Sequence, residues 1–542
     1  MVSKVRAKKT KTREKQVGKA LVGRTPLQQN PILGLSIAIL LWACAMFAVN
    51  MEHIIHADTD LEFLISLSGD GVFLLIGLFA AALFLETVRP GILRQNSRIL
   101  LLSLISLMTI IPAKTLLYVA ETTGLVQPEI IIFLLPFAVA PLLATILVDN
   151  TVGIAVGVWT SLVMAFLAGR SFTLFLIAMI ATVVAAYDAC RVRTRSRVFR
   201  TGLLVGLSQI ACLFGLTALN WESSDIILVL DQAGLCLISG FFSAIIVLLI
   251  LPLFEMLFNI ASDITLLELS DLGHPLLQRL AIEASGTYHH SLVVASLAQA
   301  AADEIGANSL LARVCSYFHD IGKLIKPGFF VENIQQQTNP HDDLPPSMST
   351  LVITSHVKEG LSLAMLHKLP ATIANVIREH HGTSLLSYFH HKAVTQLEFE
   401  LGRHDGTQAN GQPKVDEGAF RYPGPKPSSR ESAIICLADA VEAASRSMEK
   451  KTPGHIENLV NDVVVTRLED AQLDNCELTI ADLAKVKRSF SFTLTNMLHG
   501  RVSYPKDENR DKQQSKSVQA EQAENKEADT APDGSSWPAR PT

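Results

Sequence analysis

The sequence has few cysteines, and none of them forms a pair that would indicate a metal-binding ribbon. The seven cysteines show no C-x-x-C spacing, and four lie in or beside apolar segments, where a thiol packs as a small hydrophobic group. These features exclude a zinc ribbon and a disulfide framework.

Excess positive charge is also absent, because 46 Lys and Arg are balanced by 51 Asp and Glu. The balance argues against binding to a nucleic-acid polymer.

Long apolar segments are absent after residue 258 and frequent before it. Eight of them have about the length that crosses ~30 Å of hydrocarbon: 32–49, 70–87, 99–118, 127–147, 151–168, 171–188, 201–219 and 232–257. The sequence therefore predicts a polytopic helical bundle embedded in the lipid bilayer over residues 32–257.

No small-residue cleavage pattern follows Ala48, which argues against a cleaved signal peptide. The spans also lack paired charges, which argues against a transporter.

Basic residues alternate with acidic ones along the loops. Residues 1–31 form a basic tail with nine Lys and Arg and one acid. Basic residues also mark 89–98 and 191–197, whereas acidic residues mark 52–60, 121–127 and 221–225. Because Lys and Arg collect on the cytoplasmic side, both termini are expected in the cytoplasm of a multi-pass protein of the inner (plasma) membrane. A re-entrant pair of helices around 147–151 would leave the rest of this topology unchanged.

Residues beyond the bundle have helical apolar spacing and few strand signals, so the predicted fold class is all-α throughout. Residues 258–284 are predicted as a helical connector, and residues 285–504 as an all-helical soluble domain. Residues 505–542 are polar without apolar periodicity, which is typical of a disordered tail.

Five histidines and two aspartates mark a candidate metal site in the soluble domain: His290, His319, Asp320, His356, His380, His381 and Asp439. Adjacent helical residues point about 100° apart, so His319 and Asp320 can share a metal only near a helix end, which Gly322 would provide. The set is larger than one ion needs. It suits two hard or borderline ions with a bridging carboxylate and open positions for water and phosphate.

Several motifs carry a family resemblance. They are Gly286-Thr287-Tyr288-His289-His290-Ser291, His319-Asp320-Ile321-Gly322-Lys323, Phe330-Val331-Glu332-Asn333, Glu379-His380-His381-Gly382, the stretch 420–427 and the stretch 437–446. With them the chain resembles the seven-transmembrane receptor family with an intracellular HD hydrolase domain, strongly over about 230–505. The resemblance implies a membrane-bound metal-dependent phosphodiesterase that hydrolyses a cyclic dinucleotide, namely cyclic-di-AMP to linear pApA.

The resemblance also implies what the site binds. Two divalent ions, iron or manganese, would be bound by all seven residues, with His290 rather than His289 as the ligand of that pair. Asp320 is expected to bridge the ions in catalysis, and Lys323 to neutralise a phosphate oxygen. Arg421 and Lys426 are weaker candidates for binding the substrate. A homodimer is left open.

Other functions remain open at this stage. They are hydrolysis of cyclic-di-GMP, a guanosine polyphosphate or a deoxynucleoside triphosphate, and nucleotide binding without hydrolysis. No Gly-Tyr-Pro signature follows His381, which argues against cyclic-di-GMP. The chain departs from the family pattern in two places. Residues 50–68 are a short loop where family members carry a large extracellular domain, and an insert lies at 405–417.

The topology can be tested with single cysteines in a cysteine-free background. An impermeant thiol reagent should label a cysteine at position 223 from outside the cell and one at position 196 only after permeabilisation, because the acidic loop is predicted outside and the basic loop inside. The reverse labelling pattern would refute a cytoplasmic soluble domain.

Overall fold

The computed structural model of the chain describes residues 30–55, 61–124, 127–190, 192–219, 225–334, 339–403, 414–449 and 451–499. Nearly all of the predicted basic tail, most of the predicted insert at 405–417 and the whole of the predicted disordered tail lie outside these residues. Within them the structure is helical, and its one β feature is an isolated antiparallel bridge between Leu385 and Arg421. The all-α prediction is confirmed.

The N-terminal part is a bundle built on seven apolar helices long enough to cross a membrane. In chain order its helices are α1 (Pro31–Ile55), α2 (Leu61–Val88), α3 (Asn96–Thr123), two short helices α4 (Pro128–Ile131) and α5 (Val139–Leu147), then α6 (Asn150–Leu167), α7 (Phe172–Ala189), α8 (Arg195–Leu219) and α9 (Ile226–Phe258). Large apolar side chains cover the outside, including Phe79 at 67% exposure and Leu249 at 82%. Such a surface suits lipid, so the chain is a multi-pass membrane protein.

One predicted span, 127–147, is not a continuous helix. A 3-10 turn (Ile132–Leu134) follows α4, and residues 135–138 are irregular before α5 begins. Pro136 explains the break, because its ring supplies no N–H for a helical hydrogen bond. The hydroxyl of Ser239 on α9 donates to the carbonyl of Leu135 at 2.6 Å, and both residues are buried. Irregular backbone at membrane depth is tolerated when the surrounding protein satisfies it in this way.

Contacts between helix ends show which ends share a face of the bundle. Arg89 Nε lies 3.1 Å from Asp149 Oδ2, at the end of the broken segment. Arg170 lies 2.8 Å from Asp70, at the far end of α6. The broken segment therefore returns the chain to the face that carries Arg89, and α6 crosses again. The broken segment thus adds one crossing to those of the seven long helices. The total is eight crossings, as predicted, so the first and last helices of the bundle have their outer ends on the same face.

The last two helices of the bundle, α8 and α9, are in very close contact. An added Cβ on Gly240 would lie 2.2 Å from the carbonyl oxygen of Gly202 and 2.8 Å from the nitrogen of Gly206. Small residues at such a crossing allow the two backbones to approach, which is how helices associate in lipid. This contact fixes α9, the helix that leads into the soluble part.

The soluble part has its own hydrophobic core. Its helices are α10 (Asp263–Leu269), α11 (Pro275–Glu283), α12 (Ser285–Glu304), α13 (Ser309–Phe318), α14 (Pro346–Leu366), α15 (Ala371–Glu379), α16 (Ser387–Arg403), α17 (Arg430–Arg446), α18 (Pro453–Glu469) and α19 (Ile480–His499). Helix α12 is central and packs against α13, α17 and α19. The exact domain boundaries given above stay predictions.

Two glycines of α9 test the close contact. Gly240→Ala should destabilise the bundle by about 1–3 kcal/mol, because its methyl group meets backbone atoms of α8. Gly234→Ala is the matched control: nothing lies within 4 Å of its added Cβ, so better helix propensity should leave stability unchanged or raised by up to about 1 kcal/mol. Thermal unfolding in detergent measures both. Equal unfolding midpoints for the two variants would contradict this packing.

Candidate metal centre

The seven predicted metal ligands come from five regions of the soluble part and meet in one site. His290 lies on α12, His356 on α14 and Asp439 on α17. His319 and Asp320 follow the end of α13, and His380 and His381 follow the end of α15. Six of the seven residues are less than 9% exposed, and the side chain of His381 is 16% exposed. His289, the neighbour of His290, is exposed to solvent.

The helix end at His319 is confirmed, but Gly322 does not form it in the expected way. Helix α13 ends at Phe318, and Gly322 lies in a following 3-10 turn without a left-handed φ. An added Cβ on Gly322 would lie 1.9 Å from the carbonyl oxygen of His356 and 2.5 Å from the nitrogen of Gly360. The glycine is therefore needed for close approach to α14. This approach brings Asp320 beside His356.

The carboxylate of Asp320 divides the histidines into two groups. Its Oδ2 lies 3.4 Å from His290 Nε2 and 3.3 Å from His319 Nε2. Its Oδ1 lies 3.3 Å from His356 Nε2 and 3.6 Å from His380 Nε2. A carboxylate with one oxygen toward each group could bridge two metal ions, one in each group.

Asp439 connects the two groups from another side. Its Oδ1 lies 3.1 Å from His290 Nε2, and its Oδ2 lies 3.2 Å from His381 Nδ1. His381 belongs to the group of His356 and His380. Asp439, like Asp320, therefore contacts histidines of both groups.

Hydrogen bonds orient four of the imidazoles through Nδ1. Backbone carbonyls accept from three of them: Ser316 from His319 at 2.7 Å, Ile353 from His356 at 2.6 Å and Ile377 from His380 at 2.8 Å. His290 differs, because its Nδ1 lies 2.5 Å from the carboxylate oxygen Oε2 of Glu442. A proton on Nδ1 leaves the lone pair of each Nε2 directed into the site, as a metal ligand requires.

The residues fit divalent metal ions. The buried Oδ1 of Asp320 accepts no hydrogen bond, although the Nε2 atoms of His356 and His380 lie 3.3 and 3.6 Å from it. Leaving such a group without a partner would be costly, and a metal ion would satisfy it. The residues form two groups of potential ligands, one with His290, His319 and Asp320 and one with Asp320, His356, His380 and His381.

Burial and neighbouring charges set the ionisation of the site. Burial opposes a charged Asp320, but Lys323 and His319 outweigh it and lower the pKa of this carboxyl well below its usual range. Burial lowers the pKa of His356 to about 4, so that its ring is neutral at pH 7 and free to bind metal. Burial also disfavours a charged His290, yet hydrogen bonds with Asp320, Asp439 and Glu442 raise its pKa well above the usual value. The carboxylates that stabilise the positive charge of a protonated His290 would also stabilise a metal ion bound to the neutral imidazole.

Lys323, predicted to contact phosphate, binds two carboxylates. Its ammonium lies 2.8 Å from Asp320 Oδ2 and 2.7 Å from Glu332 Oε1, over the ring of Phe330. Burial opposes the charge, but Asp320 and Glu332 raise the pKa of Lys323 above its usual value. These contacts orient Asp320 within the site.

The two predicted substrate-binding cations also have acidic partners. Arg421 contacts Asp470 at 2.8 Å and Glu417 at 2.6 Å, and Lys426 lies 3.4 Å from Asp474. Substrate binding by Arg421 and Lys426 stays a prediction.

Sequence reasoning assigned no role to three residues of the site. Glu442 binds His290, and Arg446 binds Glu442 at 2.6 Å. The ring of Tyr422 lies 4.2 Å from that of His381, between centroids, and is buried. Spacing offered a signal for the first two, because Glu442 lies three residues after Asp439 and Arg446 four residues after Glu442, on one helical face. Nothing in the sequence placed Tyr422 against His381.

Comparison with known proteins identifies the family. Residues 64–262 match the family described as 7TM receptor with intracellular HD hydrolase, and residues 287–444 match the HD domain. The cyclic-di-AMP phosphodiesterase PgpH of Bacillus subtilis is 34% identical over 446 residues, which cover 80% of this chain and 60% of that protein. PgpH of Listeria monocytogenes is 35% identical over 445 residues, which cover 81% and 59%.

The chain belongs to the family of seven-transmembrane receptors with an intracellular HD hydrolase domain. It spans about three fifths of the length of the PgpH relatives that it matches. The crystal structure of the L. monocytogenes PgpH HD domain is 40% identical and matches 42% of this chain and 100% of its own length, with a TM-score of 0.38. HD domains bind divalent metals, and the two ligand groups of this HD domain could do so.

The contact between Glu442 and His290 predicts unequal metal positions. Glu442→Gln should weaken binding of one ion by about 10–100-fold and leave the other nearly unchanged. The reason is that Glu442 contacts Nδ1 of His290, whereas backbone carbonyls contact Nδ1 of His319, His356 and His380. Metal titration of the detergent-solubilised chain against a competing chelator measures both affinities.

Glu457→Gln, on the exposed face of α18, provides the control for this measurement. It should bind both ions as the unmodified chain does. If Glu442→Gln also retained both affinities, the carboxylate would have no part in orienting His290.

Proposed function

We propose that this chain is a membrane-bound phosphodiesterase that hydrolyses cyclic-di-AMP to linear pApA with two divalent metal ions. The observation that carries the proposal is the position of Asp320, whose two oxygens face separate histidine groups at 3.3–3.6 Å. Two relatives that are 34–35% identical and named cyclic-di-AMP phosphodiesterases support the choice of substrate.

The ligand chemistry supports iron or manganese as the metals. Imidazoles and carboxylates supply the ligand atoms, and no thiolate lies in either ligand group. His290, His319, Asp320 and Asp439 would hold one ion, and Asp320, His356, His380 and His381 the other. Bound there, the ions would supply Lewis acidity, which makes a phosphodiester more electrophilic and a water molecule more acidic.

The residues of the chain have separate tasks in this reaction, which adds one water across a phosphodiester bond. Asp320 fixes the distance between the two groups of ligands. Lys323 and Glu332 keep Asp320 charged and oriented, because the ammonium contacts both carboxylates. The role we assign to Lys323 is thus to position Asp320. Tyr422 covers His381 and limits access of water on that side.

The membrane topology supports a cytoplasmic reaction. The soluble part meets the bundle at the face that carries Arg89 and Arg193, whose loops are basic. Since basic loops stay on the cytoplasmic side, we propose the plasma membrane as the location and the cytoplasm as the compartment of the site. A homodimer stays a prediction.

Hydrolysis can be tested directly on the detergent-solubilised chain. With Mn²⁺ or Fe²⁺ it should convert cyclic-di-AMP to pApA faster than it cleaves cyclic-di-GMP, a guanosine polyphosphate or a deoxynucleoside triphosphate. Asp320→Asn should lower the rate by about 10³-fold or more, since it disturbs both ions rather than one charge-stabilising donor. Chromatography of the products measures the rates.

Asp462→Asn, on the exposed surface of α18, is the matched control and should hydrolyse at the unmodified rate. Faster cleavage of another nucleotide would exclude cyclic-di-AMP as the main substrate. Binding of cyclic-di-AMP without any product would indicate a receptor.

A further inference from the structure

Two guanidinium groups reach from the bundle to the soluble part. In the loop between α7 and α8, Arg193 Nε lies 3.6 Å from Asp263 Oδ2. At the first residue of α8, Arg195 Nη2 lies 2.9 Å from Glu268 Oε1. Both acids belong to α10, the first helix after the bundle. Ile264 of the same helix is buried in the core of the bundle. Helix α10 is therefore held to the bundle by Ile264, by the hydrogen bond that Thr265 donates to Glu255 of α9 at 2.8 Å and by the two ion pairs.

The two ion pairs are exposed to solvent. The side chains of Arg193 and Arg195 are 60% and 65% exposed, and those of their acidic partners are 32% and 55% exposed. Nearby, Arg200 binds Asp188, whose side chain is only 14% exposed. Exposed pairs are weakened by water and salt, and they exchange partners easily. Arg193 and Arg195 can therefore exchange their partners for other anions more readily than Arg200 can.

The loop lies at the level of the lipid headgroups. Helices α7 and α8 end and begin there, at the face of the bundle that also carries Arg89 and Asp149. Helices of this length span the hydrocarbon, so their ends meet the phosphate layer. Anionic lipids attract Arg and Lys side chains at this level. Headgroup phosphates would thus compete with the carboxylates of α10 for the same two guanidinium groups.

Asp263 links this loop to the metal centre. Its Oδ1 accepts from the side chain of Asn308 at 3.4 Å, and Asn308 caps α13, the helix that His319 directly follows. The backbone N–H of Asn308 donates to Glu431 at 2.9 Å, in the first turn of the helix that carries Asp439. One carboxylate therefore contacts both the membrane loop and the cap of a helix that positions metal ligands.

We propose that Arg193 and Arg195 bind anionic phospholipid headgroups in competition with Asp263 and Glu268. Membrane charge then sets how tightly α10 is held to the bundle. Binding of this kind requires only the exposed ion pairs, so it stands whether or not the chain hydrolyses cyclic-di-AMP.

Amide hydrogen exchange of residues 263–269 tests the competition in the full-length chain. The chain is placed in nanodiscs of phosphatidylcholine alone or of phosphatidylcholine with phosphatidylglycerol. Exchange should be about fivefold faster in the anionic discs, because α10 loses two exposed ion pairs. Equal exchange in the two membranes would overturn the proposal.

Variants assign the response to the two arginines. Arg193→Gln with Arg195→Gln should exchange fast in both membranes, and so should Asp263→Asn with Glu268→Gln, which removes the same pairs from the other side. Arg279→Gln is the matched control: Arg279 pairs with Glu283 within α11, so the lipid response should remain. A lipid response that persists in both double variants would overturn the assignment.

Soluble phosphate separates the two sources of the anion. Glycerol phosphate added to neutral discs at matched ionic strength should leave exchange slow, since the bilayer surface concentrates headgroups near the loop. If glycerol phosphate reproduced the acceleration, the ligand would be a soluble phosphate and the lipid proposal would fail.

Discussion

The buried carboxylate of Asp320 is the group on which the geometry of the soluble part depends. A charge removed from water costs several kcal/mol unless other groups compensate it, and here four imidazoles and the ammonium of Lys323 surround it. These groups come from different helices. Their common attraction to one carboxylate fixes where α12, α13 and α14 meet. The same arrangement that stabilises the charge thus produces two groups of ligands around it.

The two groups of ligands differ in what lies behind them. His290 is backed by the carboxylate of Glu442, which Arg446 holds, whereas His319, His356 and His380 are backed by backbone carbonyls. A carboxylate makes an imidazole a stronger base than a carbonyl does. The site is therefore asymmetric although both groups share Asp320. The two groups of residues would therefore hold their ions with unequal strength.

The helical fold and the histidines and aspartates that meet in one site could be predicted from the sequence, because span length and motif spacing are local properties. Contacts between distant residues were beyond its reach. The close approach of Gly322 to His356 depends on the backbone of another helix, and the motif alone suggested a helix cap instead. Lys323 lies only three residues after Asp320, but the motif does not show that its ammonium would also contact Glu332. Pro136 favours a break in the predicted span 127–147, but nothing near it in sequence shows that Ser239 would donate to the carbonyl of Leu135.

That last contact constrains how the protein is made. Leu135 and Ser239 are 104 residues apart, so the ribosome finishes the broken segment well before the helix that completes it. At ordinary rates of synthesis the interval is on the order of 5 to 20 s. During this time the carbonyl of Leu135 has the local hydrogen bond from Phe137 but lacks the one from Ser239. The hydrogen bonding of the broken segment is therefore completed only after α9, the last helix of the bundle, has been made.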